Sequence, residues 1–216
     1  MDSPSWRREF ARGLGALWPV KLAGTPAFMT AFFVCYFFAL NHPIFPVTVM
    51  PVTALDRWIG FHPASLALYV SLWLYVLLPS ALIGERSELA RYALAATVLA
   101  VAGLAVFVAW PTAVPKWDAA WSHSGAFARL KSVDASGNAC PSLHAGFAVF
   151  SAIWIGRLLR RAGAPAALRF LNGCWCLAIL YSTMATRQHV AIDVLAGSAL
   201  GWLVALLMRP RPVRLS

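Results

Sequence analysis

Residues 189–208 read HVAIDVLAGSALGWLVALLM. In this stretch a single carboxylate, Asp193, interrupts an otherwise uncharged apolar run, and His189 stands at its head. A helix of about 20 apolar residues matches the ~30 Å hydrocarbon thickness of a bilayer. Ionisable groups are costly in such a segment and mark function there. His189 and Asp193 are four apart, so on a helix they share one face.

The pattern of this stretch recurs along the chain. Leu22–Leu55 carries no Asp, Glu, Lys or Arg over 34 residues, although Pro43, Pro46 and Pro51 break its end. Pro63–Ile83, Tyr92–Pro115 and Phe170–Thr186 are uncharged too, and Ser132–Gly156 holds only Asp134. These runs predict an all-α polytopic membrane protein, a six-transmembrane-helix bundle with spans near 24–40, 64–83, 90–110, 142–159, 166–184 and 189–208. The composition agrees: 60% of the 216 residues are hydrophobic and only 12% are charged, about half the charge of a soluble domain.

With six spans both termini share a side. Of the 18 Lys and Arg, 13 fall on that side and 5 (Arg57, Lys116, Arg129, Lys131 and Arg187) on the other, which predicts cytoplasmic termini. His144 and His189 then both open spans from the outer face. The net charge of +10 suits anionic lipid headgroups, and nucleic acid is not an expected partner. Residues 1–23 form a basic cytoplasmic segment, read as a topogenic flank. Its alternative is an interfacial helix carrying Trp6, Phe10, Leu14 and Leu17. Residues 24–208 form the membrane catalytic domain and 209–216 a basic cytoplasmic tail. Without organelle signals, the expected location is a plasma or inner membrane. Cys35, Cys174 and Cys176 fall in spans and are expected to pack, with Cys140 at the outer face.

The second informative segment is Pro141-Ser142-Leu143-His144. Proline suits a first helical turn, and the free N–H groups of that turn make an anion site. Ser142 adds a hydroxyl, and His144 adds a proton donor or acceptor. In the other segment, Asp193 can fix the tautomer of His189 and free its second nitrogen as a nucleophile. Gly197 and Gly201 form a small-residue face for close helix packing behind the site.

Together these segments resemble the type 2 phosphatidic acid phosphatase superfamily of lipid phosphatases and phosphotransferases. Its P-S-x-H motif is matched by residues 141–144. Its S-R-x5-H-x3-D motif is matched by Ser182, His189 and Asp193. The resemblance implies that His189 attacks phosphorus and forms a phosphohistidine, Asp193 orients it, His144 protonates the leaving oxygen, and Ser142 helps bind phosphate oxygens. It implies a lipid phosphate substrate, a membrane setting, and neither metal nor other cofactor. Two departures stand out: Thr183 occupies the third motif's arginine position, and the first motif, K-x6-R-P, is absent. Candidate replacement cations are Lys116, Arg187, Arg129 and Lys131. Lys116 ranks first, because the proline-rich run 111–117 resembles the first motif of the inositol phosphorylceramide synthase-like subgroup. Those enzymes and the sphingomyelin synthases also use His, His and Asp without that arginine.

The expected activity is therefore hydrolysis of a lipid-linked phosphate ester: phosphatidate, phosphatidylglycerol phosphate or a polyprenyl diphosphate. The alternative is transfer of a phospho-headgroup to a lipid hydroxyl. A transporter with a histidine relay fits less well, because the polar groups gather at one face and no internal repeat is evident. A metal site of His123, His144, His189 and Asp193 is the remaining alternative.

Overall fold

The computed structural model describes residues 5–117 and 137–208. His123, Arg129, Lys131 and the basic tail lie outside the described residues. The described chain is mainly helical. Helix α1 is Ser5–Gly15, α2 is Trp18–Asn41, α3 is Ala54–Ile59, α4 is Leu66–Val70, α5 is Leu72–Leu82 and α6 is Arg86–Ala109. After residue 137 come α7 (Leu143–Arg161), α8 (Ala166–Ala185) and α9 (Ala191–Leu207).

Helices stand at all six positions assigned to spans from the sequence. Three of them, Trp18–Asn41, Pro63–Leu82 and Arg86–Ala109, are long and apolar enough to cross a membrane. Helix α9 is apolar but shorter. The first starts six residues before the expected position 24. The second is interrupted at Ser71, where α4 gives way to α5. These apolar helices mark a membrane protein. Its exterior agrees: Val34, Phe38, Leu94, Val101, Leu171, Leu177, Leu195 and Leu207 are all exposed, a surface that water would not tolerate as a contiguous patch.

Helix α7 is the central post and packs against α9, α8 and α5. Phe150, Trp154 and Leu158 bury one side of it in a core with Tyr92, Leu99 and Val204. Ala148, Ile155 and Leu159 bury another side against Leu72, Tyr75 and Ile179. A helix apolar on several sides belongs in the centre of a bundle. Glycines bring α9 unusually close. A Cβ on Gly201 would overlap the Gly146 carbonyl, and one on Gly197 would overlap that of Ser142, so backbone touches backbone.

At the opposite end of α7 from Ser142, Arg161 forms a 2.8 Å bond to each Glu88 oxygen and lies 3.6 Å from Glu9. Trp6 and Phe10 of α1 tuck against the core. At the Ser142 end, the chain makes a feature the helical reading lacks. Strands β1 (Thr48–Val49) and β2 (Thr112–Ala113) pair in parallel, Thr48 opposite Thr112, and Ala113 bridges Gly137. The Thr112 hydroxyl then accepts from the Cys140 N–H at 2.8 Å. This small platform fixes the entry into Pro141-Ser142.

The cysteines need correcting. Cys176 is buried as expected, but Cys35 and Cys174 are exposed and Cys140 is buried. Cys35 and Cys174 lie on the apolar outside of their helices, where sulfur suits lipid contact as well as packing. Burial, with Asp193 nearby, pushes the Cys140 thiol up to about 11, so it stays protonated at neutral pH and is a poor nucleophile.

Candidate active site

Ser142 caps α7: its Oγ accepts the Ala145 N–H at 3.2 Å. Its own N–H donates to the Asp193 backbone carbonyl at 2.9 Å. The two motifs are therefore joined through the backbone, one helix start against the other. Ser142 is fully buried, so it supports the helix start from beneath.

His189 precedes α9. Its N–H and that of Gln188 both donate to the Thr183 carbonyl at 3.1 Å, which closes α8 with a tight turn. Arg187 takes a left-handed φ of 59° in that turn, a conformation that costs a non-glycine residue ~1 kcal/mol or more. Its side chain is anchored: the guanidinium lies 3.7 Å from the Trp117 ring centroid and donates to the Asp56 carbonyl at 3.3 Å. Asp193 is fully buried and accepts the Val190 N–H at 3.0 Å.

Three side chains line up across this end of the bundle. His189 Nδ1 stands 3.7 Å from Asp193 Oδ2, a distance a small ring rotation closes, as resting sites often require. His189 Nε2 stands 3.3 Å from His144 Nδ1. Both histidines look into a cavity of about 370 Å³ lined by α2, α4, α5, α6 and α7. Its walls include Phe28, Phe32, Phe33, Trp73 and Phe147, and it runs from the histidines to Val20 and Lys21. Along α2, Val20 to Phe37 corresponds to roughly 25 Å of helix. Lys21 closes the far end, its Nζ donating to the Gly13 and Ala81 carbonyls at 2.6 and 2.9 Å.

Residues 89–214 match the family model of the PAP2 superfamily. The chain belongs to this superfamily. No curated protein and no solved structure matches the chain at a significant level. PAP2 membership supports activity of the phosphatase or phosphotransferase type.

Of the residues singled out in the sequence, His144, His189, Asp193 and Ser142 come together. Arg187 is close in sequence but folds toward Asp56 and Trp117. Lys116 is exposed beside Trp117. Thr183 is fully buried, its hydroxyl donating to the Leu180 carbonyl at 2.8 Å, so that position offers no cation. Among the described residues no group of three or more His, Cys, Asp or Glu is arranged to hold a metal ion.

Two residues escaped the sequence reading. Asp56 is buried and accepts the Ala191 N–H at 2.8 Å through Oδ1, capping the helix that carries Asp193. Its Oδ2 accepts both the N–H and the hydroxyl of Thr53 at 2.7 Å. The Thr53-x-x-Asp56 spacing is a capping-box signal, but nothing local points to α9. Tyr69, on α4, places its hydroxyl 2.8 Å from His144 Nε2, and no sequence signal announces that.

Proposed function

We propose that this protein is an integral membrane lipid phosphatase that hydrolyses a lipid-linked phosphate ester through a phosphohistidine on His189. One observation carries this reading: the Asp193–His189–His144 alignment brings both histidines into the lining of a long apolar cavity. A phosphate head at the histidines leaves its hydrocarbon tail in the cavity, among aromatic walls. The six helices span the membrane, the termini are cytoplasmic and the site opens on the outer face, as the Lys and Arg distribution supports.

The substrate phosphoryl group enters between the two histidines and displaces their contact. Asp193 accepts from His189 Nδ1–H, leaving the Nε2 lone pair to attack phosphorus. The N–P bond forms, the P–O bond to the lipid breaks, and His144 protonates the leaving oxygen. His144 then takes a proton from water, water oxygen attacks phosphorus, and the N–P bond breaks to release inorganic phosphate. N–H groups at the start of α7 stabilise the phosphoryl oxygens.

The second reading is phospho-headgroup transfer to a lipid hydroxyl, favoured by Thr183 where hydrolytic relatives are expected to carry arginine. The test is inorganic phosphate release by the purified protein in detergent from phosphatidate, phosphatidylglycerol phosphate and polyprenyl diphosphate, with His189→Ala as control. Release lost in the variant supports hydrolysis. Product formed only when a lipid alcohol is added supports the transferase. Equal activity of wild type and His189→Ala sinks both.

A further inference from the structure

We infer that Tyr69 is a positioning residue that reserves His144 Nε2 and so commits His144 Nδ1 to proton exchange at phosphorus. The inference rests on the phosphoryl-transfer reading above for its function, but its physical basis is independent. Tyr69 lies outside the stretch 89–214 that matches the superfamily model.

The proton order follows from the chain of contacts. A carboxylate only accepts, so the proton of His189 is assigned to Nδ1, which makes no hydrogen bond among the described residues and faces Asp193 Oδ2 at 3.7 Å. His189 Nε2 is then a lone pair. The nitrogen facing it at 3.3 Å, His144 Nδ1, must carry the proton between them. His144 Nε2 is left as an acceptor, and the group 2.8 Å away, the Tyr69 hydroxyl, donates to it. Every facing pair is then one donor and one acceptor. Tyr69 is 2% exposed, and its ring packs on the imidazole with centroids 4.9 Å apart, which restrains the hydroxyl.

During turnover the same hydroxyl reverses its role. When His144 is protonated, Nε2–H donates to the Tyr69 oxygen and Nδ1–H is the proton given to the leaving oxygen. Neutral His144 then keeps Nε2–H and takes a proton from water at Nδ1. A hydroxyl serves both states because it donates and accepts; phenylalanine serves neither. The titratable groups facing His144 include Tyr69 on α4 and His189 before α9, with Asp193 behind His189.

The experiment is Tyr69→Phe, read two ways. Hydrogen bonds to a charged group are about twice as strong as neutral ones, so removing the hydroxyl costs the protonated form more. By ¹⁵N NMR of histidine-labelled protein in micelles, the His144 titration midpoint moves to lower pH by about one unit. The alkaline limb of kcat/KM moves with it, by the same amount. Wild-type neutral His144 should report a proton on Nδ1. An unshifted midpoint in Tyr69→Phe, or a uniform loss of rate without a pH shift, overturns the proposal and leaves Tyr69 a packing residue. If Tyr69→Phe does not fold, wild type decides: neutral His144 with its resting proton on Nε2 overturns the inference. The NMR result holds whatever the substrate, whereas activity surviving His189→Ala refutes the functional reading alone.

Discussion

Gly197→Ala tests whether backbone contact between α7 and α9 sets the distance between the two histidines. A Cβ at Gly197 would overlap the Ser142 carbonyl oxygen and lie 2.8 Å from its carbon and 3.1 Å from the Ser142 nitrogen. Carbon atoms in contact prefer about 3.5–4.0 Å, so the helices must part by on the order of 1 Å. Ser142 leads directly into His144, so the 3.3 Å His144–His189 separation opens with it. A misplacement of ~1 Å at reacting groups lowers the rate ~10²-fold. The stability cost is smaller: overpacking costs about 1–3 kcal/mol, and replacing glycine by alanine in a helix returns up to ~1 kcal/mol. The assay is phosphate release alongside the unfolding midpoint in detergent. Gly173→Ala, where an added Cβ meets nothing within 4 Å, is the control and keeps the wild-type rate. Wild-type turnover in a folded Gly197→Ala protein would refute the argument, because the histidine spacing would then be independent of the backbone contact.

Other changes probe the remaining parts. Asp56→Ala leaves the buried Ala191 N–H unpaired and removes the Thr53 capping box. It should destabilise the protein by about 2–3 kcal/mol in equilibrium unfolding, with Asp56→Asn milder; equal stability of all three proteins would contradict this. Gly24 lines the cavity and an added Cβ there meets nothing. Gly24→Trp should raise KM for long-chain lipid phosphates and spare short-chain ones, and a parallel change for both would place the tail elsewhere. Cys140, with its thiol at about 11, should resist thiol alkylation at pH 8 and react faster only as pH rises toward that value; rapid labelling of Cys140 at neutral pH would contradict its burial.

The sequence by itself determined what is periodic and local. The uncharged runs located the six helices, because a segment without charge over about 20 residues has few alternatives to a buried or membrane helix. The His189-x-x-x-Asp193 spacing predicted that the two groups meet, although His189 stands in the turn before α9 and not on its helical face, and the Gly197/Gly201 pair indicated a close helix contact. Even there, the sequence missed the small β1–β2 pair, since two-residue strands leave no period to read. Tertiary structure decided everything that depends on how helices rotate against one another. His144 meets His189 across 45 residues, Tyr69 meets His144 across 75, and Asp56 caps Ala191 across 135. The fate of Arg187 was decided in the same way. Its charge was visible in the sequence, but a left-handed turn, the Trp117 ring and the Asp56 carbonyl determine where it points. Hydrophobic spacing specifies which face of a helix is buried; only packing specifies which atom on a distant helix that face meets.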